Sequence, residues 1–185
     1  MPVVIGAKPE SSFADPVGLL QDCHRRIERF LSVLSQVSGR ASLSAEERQS
    51  LEAALRYFRE AAPRHTADEE ESLFPRLRAG QTSESKAALA KIDALENDHA
   101  QAGRLHAEVE KLGQKRLAGG SLAAEESRRF SDLVADLVQL YTGHIAVEEN
   151  EVFPLAASML DQSQRASVGA EMAARRAQQG SASHG

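Results

Sequence analysis

The sequence predicts an all-α protein, an up-down-up-down four-helix bundle with a short C-terminal helix. Three observations carry this. Alanine, leucine, glutamate and arginine dominate a chain of 185 residues with scarce aromatics, a helix-forming composition. Apolar residues recur at steps of three and four along four long segments, the mark of helices facing a core. No segment alternates with the period of two that a strand needs.

Each element has its own signals. Residues 1–15, with two prolines, two serines and a glycine, read as an N-terminal arm. The bundle is expected over 16–160. Its first stripe is Val17, Leu20, His24, Ile27, Leu31 and Leu34, with Pro16 suited to the first turn and Gly39 to the end. Ser44 and Glu47 form a capping box that opens the second helix. That helix carries Leu51, Leu55, Phe58, Ala62, His65, Glu69 and Leu73. Pro63 predicts a kink in it, and Pro75 with Gly80 its end. The third stripe is Leu89, Ile92, Glu96, His99, Gly103, His106 and Val109, ending at Gly113 before a linker, Gln114–Ser121. The fourth is Phe130, Val134, Leu137, Tyr141, His144, Glu148 and Val152, ending near Pro154. Residues 161–185 read as a short helix, Ser163–Ala177, and a disordered tail over 179–185 that contains His184.

A net charge of −5 gives no electrostatic reason to expect nucleic acid or an anionic membrane as a partner. No apolar run approaches the roughly 20 residues needed to span a bilayer. The N-terminal segment lacks the basic and apolar regions of a secretion signal. Cys23 stands alone, so no intrachain disulfide can form, and the expected compartment is the reducing cytoplasm.

Six residues do not belong in a plain bundle core: His24, His65, Glu69, His99, His144 and Glu148. All lie on apolar stripes, and an unpartnered buried carboxylate costs several kcal/mol. A bound cation removes the difficulty, because it neutralises the glutamates and accepts a lone pair from each imidazole. The spacing agrees. His65–Glu69 and His144–Glu148 are each four residues apart, separated by roughly 40° around a helix and about 6 Å along it. The segment from His65 to Pro75 aligns without gaps on that from His144 to Pro154, with six of eleven positions identical. His24 precedes His65 by 41 residues, and His99 precedes His144 by 45. The chain thus reads as two helical hairpins, each offering one lone histidine and a His-x-x-x-Glu unit, around a site for two metals. Imidazole with carboxylate suits iron, manganese or zinc. A ferritin-like set needs repeated Glu-x-x-His units, and only Glu96–His99 matches.

This doubled His-x-x-x-Glu-Glu with its trailing Phe-Pro resembles the hemerythrin-like, HHE cation-binding family, over roughly Pro16 to Leu160. The resemblance implies a hemerythrin-like bundle holding two iron ions with an oxo or hydroxo bridge. It makes Glu69 and Glu148 the bridging carboxylates. The implied partner is a small diatomic ligand or peroxide. The implied role is binding or sensing oxygen, nitric oxide or iron. The alternative is an enzyme acting on peroxide or nitric oxide, or a part in iron-centre repair or iron storage. Oxygen-carrying members have a fifth histidine one turn after the third-helix ligand, and an aspartate five residues after the last histidine. Gly103 and Glu149 stand at those positions here. Around the six, His106 is expected to pack or support the site, and Tyr141 to pack or line an access path. Glu28 and Glu96 are expected in surface ion pairs, Glu70 and Glu149 in solvent, and Cys23 as a packed thiol.

Overall fold

The fold is seen in a computed structural model that describes residues 11–80, 82 and 86–182. Most of the expected arm, residues 1–10, and His184 lie outside the described residues. Helix α1 spans Pro16–Ser38, with the Asp15 carboxylate accepting from Gly18 N–H. Helix α2 spans Ala45–Glu60 and opens on the Ser44–Glu47 capping box. It continues through α3 (Ala62–Ala67), a π-helical turn (Asp68–Leu73) and α4 (Phe74–Ala79) as one rod. A single turn, α5 (Lys86–Leu89), precedes α6 (Ile92–Gly119). Helix α7 (Ala124–Val147) runs through a second π-helical turn (Glu148–Val152) into α8 (Phe153–Met159), and α9 spans Gln162–Ala182. Helix α1 packs on α2 and α7, and α6 packs on the same two, which closes a four-rod bundle. No described helix is long and apolar enough to cross a membrane.

Several expected boundaries move. At Pro63 the rod is interrupted only at Ala61, whose backbone stays near helical (φ −97°, ψ −41°). Pro75 and Pro154 do not end their helices. Each sits in the first turn of the segment after a π-helical turn, where its missing N–H is tolerated. The third helix does not stop at Gly113, so most of the expected linker, 114–119, is helical. Gly113 is there for packing: a Cβ would come within 2.7 Å of the Leu55 side chain. The helix ends instead at Gly120, in the left-handed region at φ 77°. The last helix is longer than expected, 21 residues, and reaches into the segment expected to be a disordered tail.

Two apolar clusters fill the bundle. One joins Ile27, Leu31, Leu55, Phe58, Phe130 and Leu137 with their neighbours. The other joins Leu20, Leu73, Phe74, Ile92, Phe153 and Met172 with theirs. The polar residues on the stripes lie between them: His24 between Leu20 and Ile27, His99 between Leu95 and Ala102. A polar layer is thus sealed on both sides by close-packed side chains.

Candidate metal centre

All six residues singled out by the sequence meet in that layer. His24, Glu69 and Glu148 are fully buried, and His65, His99 and His144 are at most 9% exposed. Helix α1 supplies His24, α3 His65, α6 His99 and α7 His144; the two glutamates come from the two π-helical turns. Their donor atoms form two groups, each within 4.8 Å: His24, His65, Glu69, Glu148 and His99, His144, Glu69, Glu148. Each group takes both histidines of one hairpin, and the glutamates belong to both. Glu69 Oε1 lies 3.4 Å from His65 Nε2 and 4.0 Å from His24 Nε2, while its Oε2 lies 3.3 Å from His99 Nε2. Glu148 Oε2 lies 3.1 Å from His24 Nε2 and 3.2 Å from His144 Nε2. Each carboxylate thus faces both pairs of histidines, and each four-donor group could hold a metal ion.

These approaches are not aligned hydrogen bonds. His24 Nε2, His99 Nε2 and all four oxygens of Glu69 and Glu148 are buried without a hydrogen-bond partner. Orphaned acceptors in such number are costly unless something else fills the space between them. A divalent cation fits, since every orphan is a lone-pair donor. Without one, charges compete. Burial and the neighbouring Glu148 push the Glu69 carboxyl well above the usual range. Glu148 is also buried, yet the imidazoles of His144 and His24 hold it below that range. Burial, with His24 alongside, pushes His65 well down.

The π-helical turns set the glutamates. The Phe74 N–H bonds to the Glu69 carbonyl, and the Phe153 N–H to the Glu148 carbonyl, each five residues back. The motif then does something its spacing alone did not reveal. Glu70 and Glu149, which their helical angle sends toward solvent, each face a histidine of the opposite hairpin. His99 Nδ1 donates to Glu70 Oε1 at 2.8 Å, and His24 Nδ1 to Glu149 Oε1 at 2.9 Å. Arg25 also donates to Glu149. The phenylalanines of the motif cross in the same way: Phe74 stacks on His99 and Phe153 on His24. A position flanking the buried stripe faces the next helix of a bundle, and a glutamate is long enough to reach it. The signal was present in the sequence, because the Glu-Glu pair occurs in both copies.

An Nδ1–H held by a carboxylate leaves the Nε2 lone pair bare and aimed at the centre. His144 Nδ1 has Asp98 Oδ2 at 3.4 Å. The hairpin repeat puts Cys23 where Asp98 stands, and the matching nitrogen, His65 Nδ1, has no partner. The Cys23 sulfur is buried and instead accepts from Arg26 at 3.2 Å. The two halves therefore share a plan but not every support.

Other candidates sort themselves by contact. Glu96 pairs with Arg78 at 2.7 Å and Glu28 with Arg25 at 3.1 Å, both at the surface. His106 Nε2 is 3.1 Å from the Tyr141 hydroxyl, and its ring stacks on Phe58. Burial pushes the His106 pKa down to about 4, so the ring is neutral near pH 7. Sequence reasoning missed Asp68, which is fully buried beside Glu69. It binds Arg175 at 2.9 Å and Arg176 at 2.7 Å, both from α9.

Comparison with known proteins agrees with this geometry. An uncharacterized protein of Haemophilus influenzae is 30% identical over 177 residues, covering 90% of this chain and 92% of its own. Residues 15–156 match the model of the hemerythrin HHE cation-binding domain, a span that takes in all six buried ligand candidates. The chain belongs to the hemerythrin HHE cation-binding domain family, and its two buried His/Glu groups are those that could hold a metal.

Proposed function

We propose that this chain is a non-haem di-iron protein that binds or senses oxygen, nitric oxide or iron at a carboxylate-bridged centre. The observation that carries the reading is the sharing of Glu69 and Glu148 between two four-donor groups. His24 and His65 would hold one ion and His99 and His144 the other, with Glu69 and Glu148 shared, a donor set that would leave room for an exogenous ligand. The mixed donors suit iron, manganese and zinc alike, and the choice of iron rests on the family resemblance. When bound, a pair of irons supplies reversible redox chemistry and sites for an exogenous ligand. The protein's own residues hold the donors in place. Glu70, Glu149 and Asp98 orient imidazoles, and the apolar clusters flank the layer on both sides. The reducing cytoplasm, where Cys23 stays a thiol, is the compartment this reading assigns.

The test is the absorption spectrum of iron-loaded protein with and without azide or nitric oxide. Open positions predict a change in the visible bands on adding either ligand. Two tightly bound irons with an unchanging spectrum would mean that the metals only brace the bundle. Catalytic turnover of added peroxide or nitric oxide would move the protein from binder to enzyme.

A further inference from the structure

A cleft of about 390 Å³ lies between the second rod and α6, with Tyr141 of α7 and His99 among its lining residues. A second groove, lined by Arg25, Glu28, Ser32, Val138 and Glu149 among others, includes none of the six candidate ligands. The two sides differ one turn after each lone histidine. After His24 that position is Glu28, bound to Arg25. After His99 it is Gly103, which lines the cleft, and a Cβ there would meet nothing within 4 Å.

The lining states what would fit. Phe58, Ala62, Ala102 and Tyr141 make it mainly apolar. The two charged residues in it, Arg59 and Glu110, neutralise each other at 2.7 Å, so neither calls for a charged ligand. Besides His99, the uncharged polar side chains in the lining are Thr66, Tyr141 and His106, and the last two form a pair. Their side chains bond to each other, while His106 Nδ1 is shielded from solvent and has no partner. The volume sits at the small end of the roughly 300–1,000 Å³ seen for small-molecule sites and exceeds the needs of a diatomic.

We propose that this cleft binds a small uncharged organic molecule with an apolar body and one hydroxyl-type oxygen, presenting that oxygen on the His99–His144 side of the centre. The body rests against Phe58, Ala62 and Ala102, and the oxygen reaches the Tyr141–His106 pair. The second half of the statement rests on the metal-centre reading; the existence of the binding cleft does not.

The experiment is a titration of phenol into the purified protein, zinc-loaded and metal-free, followed by NMR. Saturable shifts at Phe58, Ala62, Ala102 and Gly103 are expected in both forms. Gly103→Leu, which adds a side chain at the cleft and removes a helix-weakening glycine, is expected to weaken phenol at least tenfold with metal content unchanged. Tyr141→Phe should weaken phenol several-fold and leave toluene as in the parent. In iron-loaded protein, phenol should also alter the visible spectrum, and this alteration should be lost in Gly103→Leu while azide still acts. Absence of saturable shifts, or Gly103→Leu binding phenol as the parent does, overturns the proposal. Failure to take up any metal overturns the di-iron reading instead, and the metal-free titration still decides the cleft.

Discussion

Glu69 and Glu148 carry the account, and Glu70 and Glu149 refine it. A histidine whose Nδ1–H is fixed by a carboxylate is a better and better-aimed ligand, and losing such a partner typically weakens metal binding about 10–100-fold. Glu70→Gln and Glu149→Gln are therefore expected to lower affinity by that amount in a competitive metal titration while still loading fully. Glu69→Ala and Glu148→Ala should lose metal more severely. Equal losses in all four would mean that the bridging residues are misassigned. The six ligand candidates were legible because each is a polar residue on an apolar stripe. Glu70 and Glu149 were marked only by the repeat of the Glu-Glu pair in both copies; angle alone sends the neighbour of a buried residue toward solvent, and the packed partner helix shows what they face. His106 makes a separate prediction. Its folded pKa of about 4 lies below the ordinary value near 6.5, so the unfolded chain takes up its proton first as pH falls. The stabilisation is present above pH 6.5 and is lost between 6.5 and 4, by on the order of 3 kcal/mol at most. Urea unfolding of metal-free protein across that window should show a shallower pH slope in His106→Gln than in the parent.

The helices themselves were legible from periodicity, caps and the Ser44–Glu47 box, whereas their ends and their irregular turns were not. Proline and glycine read as stops: Pro75 and Pro154 follow π-helical turns that absorb them, and Gly113 answers to Leu55 across the helix interface. No sequence period announces a five-residue hydrogen-bond step, yet both such turns sit on the glutamates that matter, a common placing for π-helical turns. The C-terminal helix, which the sequence marks only as a short helix before a tail, is clamped to the first of these turns. Arg175 also donates to Ser72 Oγ at 2.8 Å, and Arg76 pairs with Glu171 at 2.6 Å. Removing one partner of a buried ion pair leaves an uncompensated charge, a loss of about 3–5 kcal/mol when both groups are fully buried. Asp68 is fully buried but the two arginines are partly solvated, so about 2–3 kcal/mol is expected for Asp68→Ala, read by chemical unfolding. A loss under about 0.5 kcal/mol, the range of an ordinary surface change, would show that α9 is not held through this contact.

Taken together, the bundle is two apolar clusters with a charged layer between them, and the layer makes sense only when the cations are counted. The metal-free protein must hold two buried carboxylates among four imidazoles with their acceptors unmet. Any cation that binds the folded chain alone stabilises it, by about 4 kcal/mol at a thousand-fold excess over its Kd. Chelation should accordingly lower the thermal midpoint of the parent and leave a Glu69→Ala, Glu148→Ala double variant unmoved. The most direct test of the shared-glutamate centre is a titration of metal-free protein with ferrous iron under anaerobic conditions, with bound metal counted per chain. The account predicts an end point at two ions per chain in the parent, falling to one or none in Glu69→Ala and in Glu148→Ala. An end point at one ion in the parent, or two ions still bound after either substitution, would contradict it.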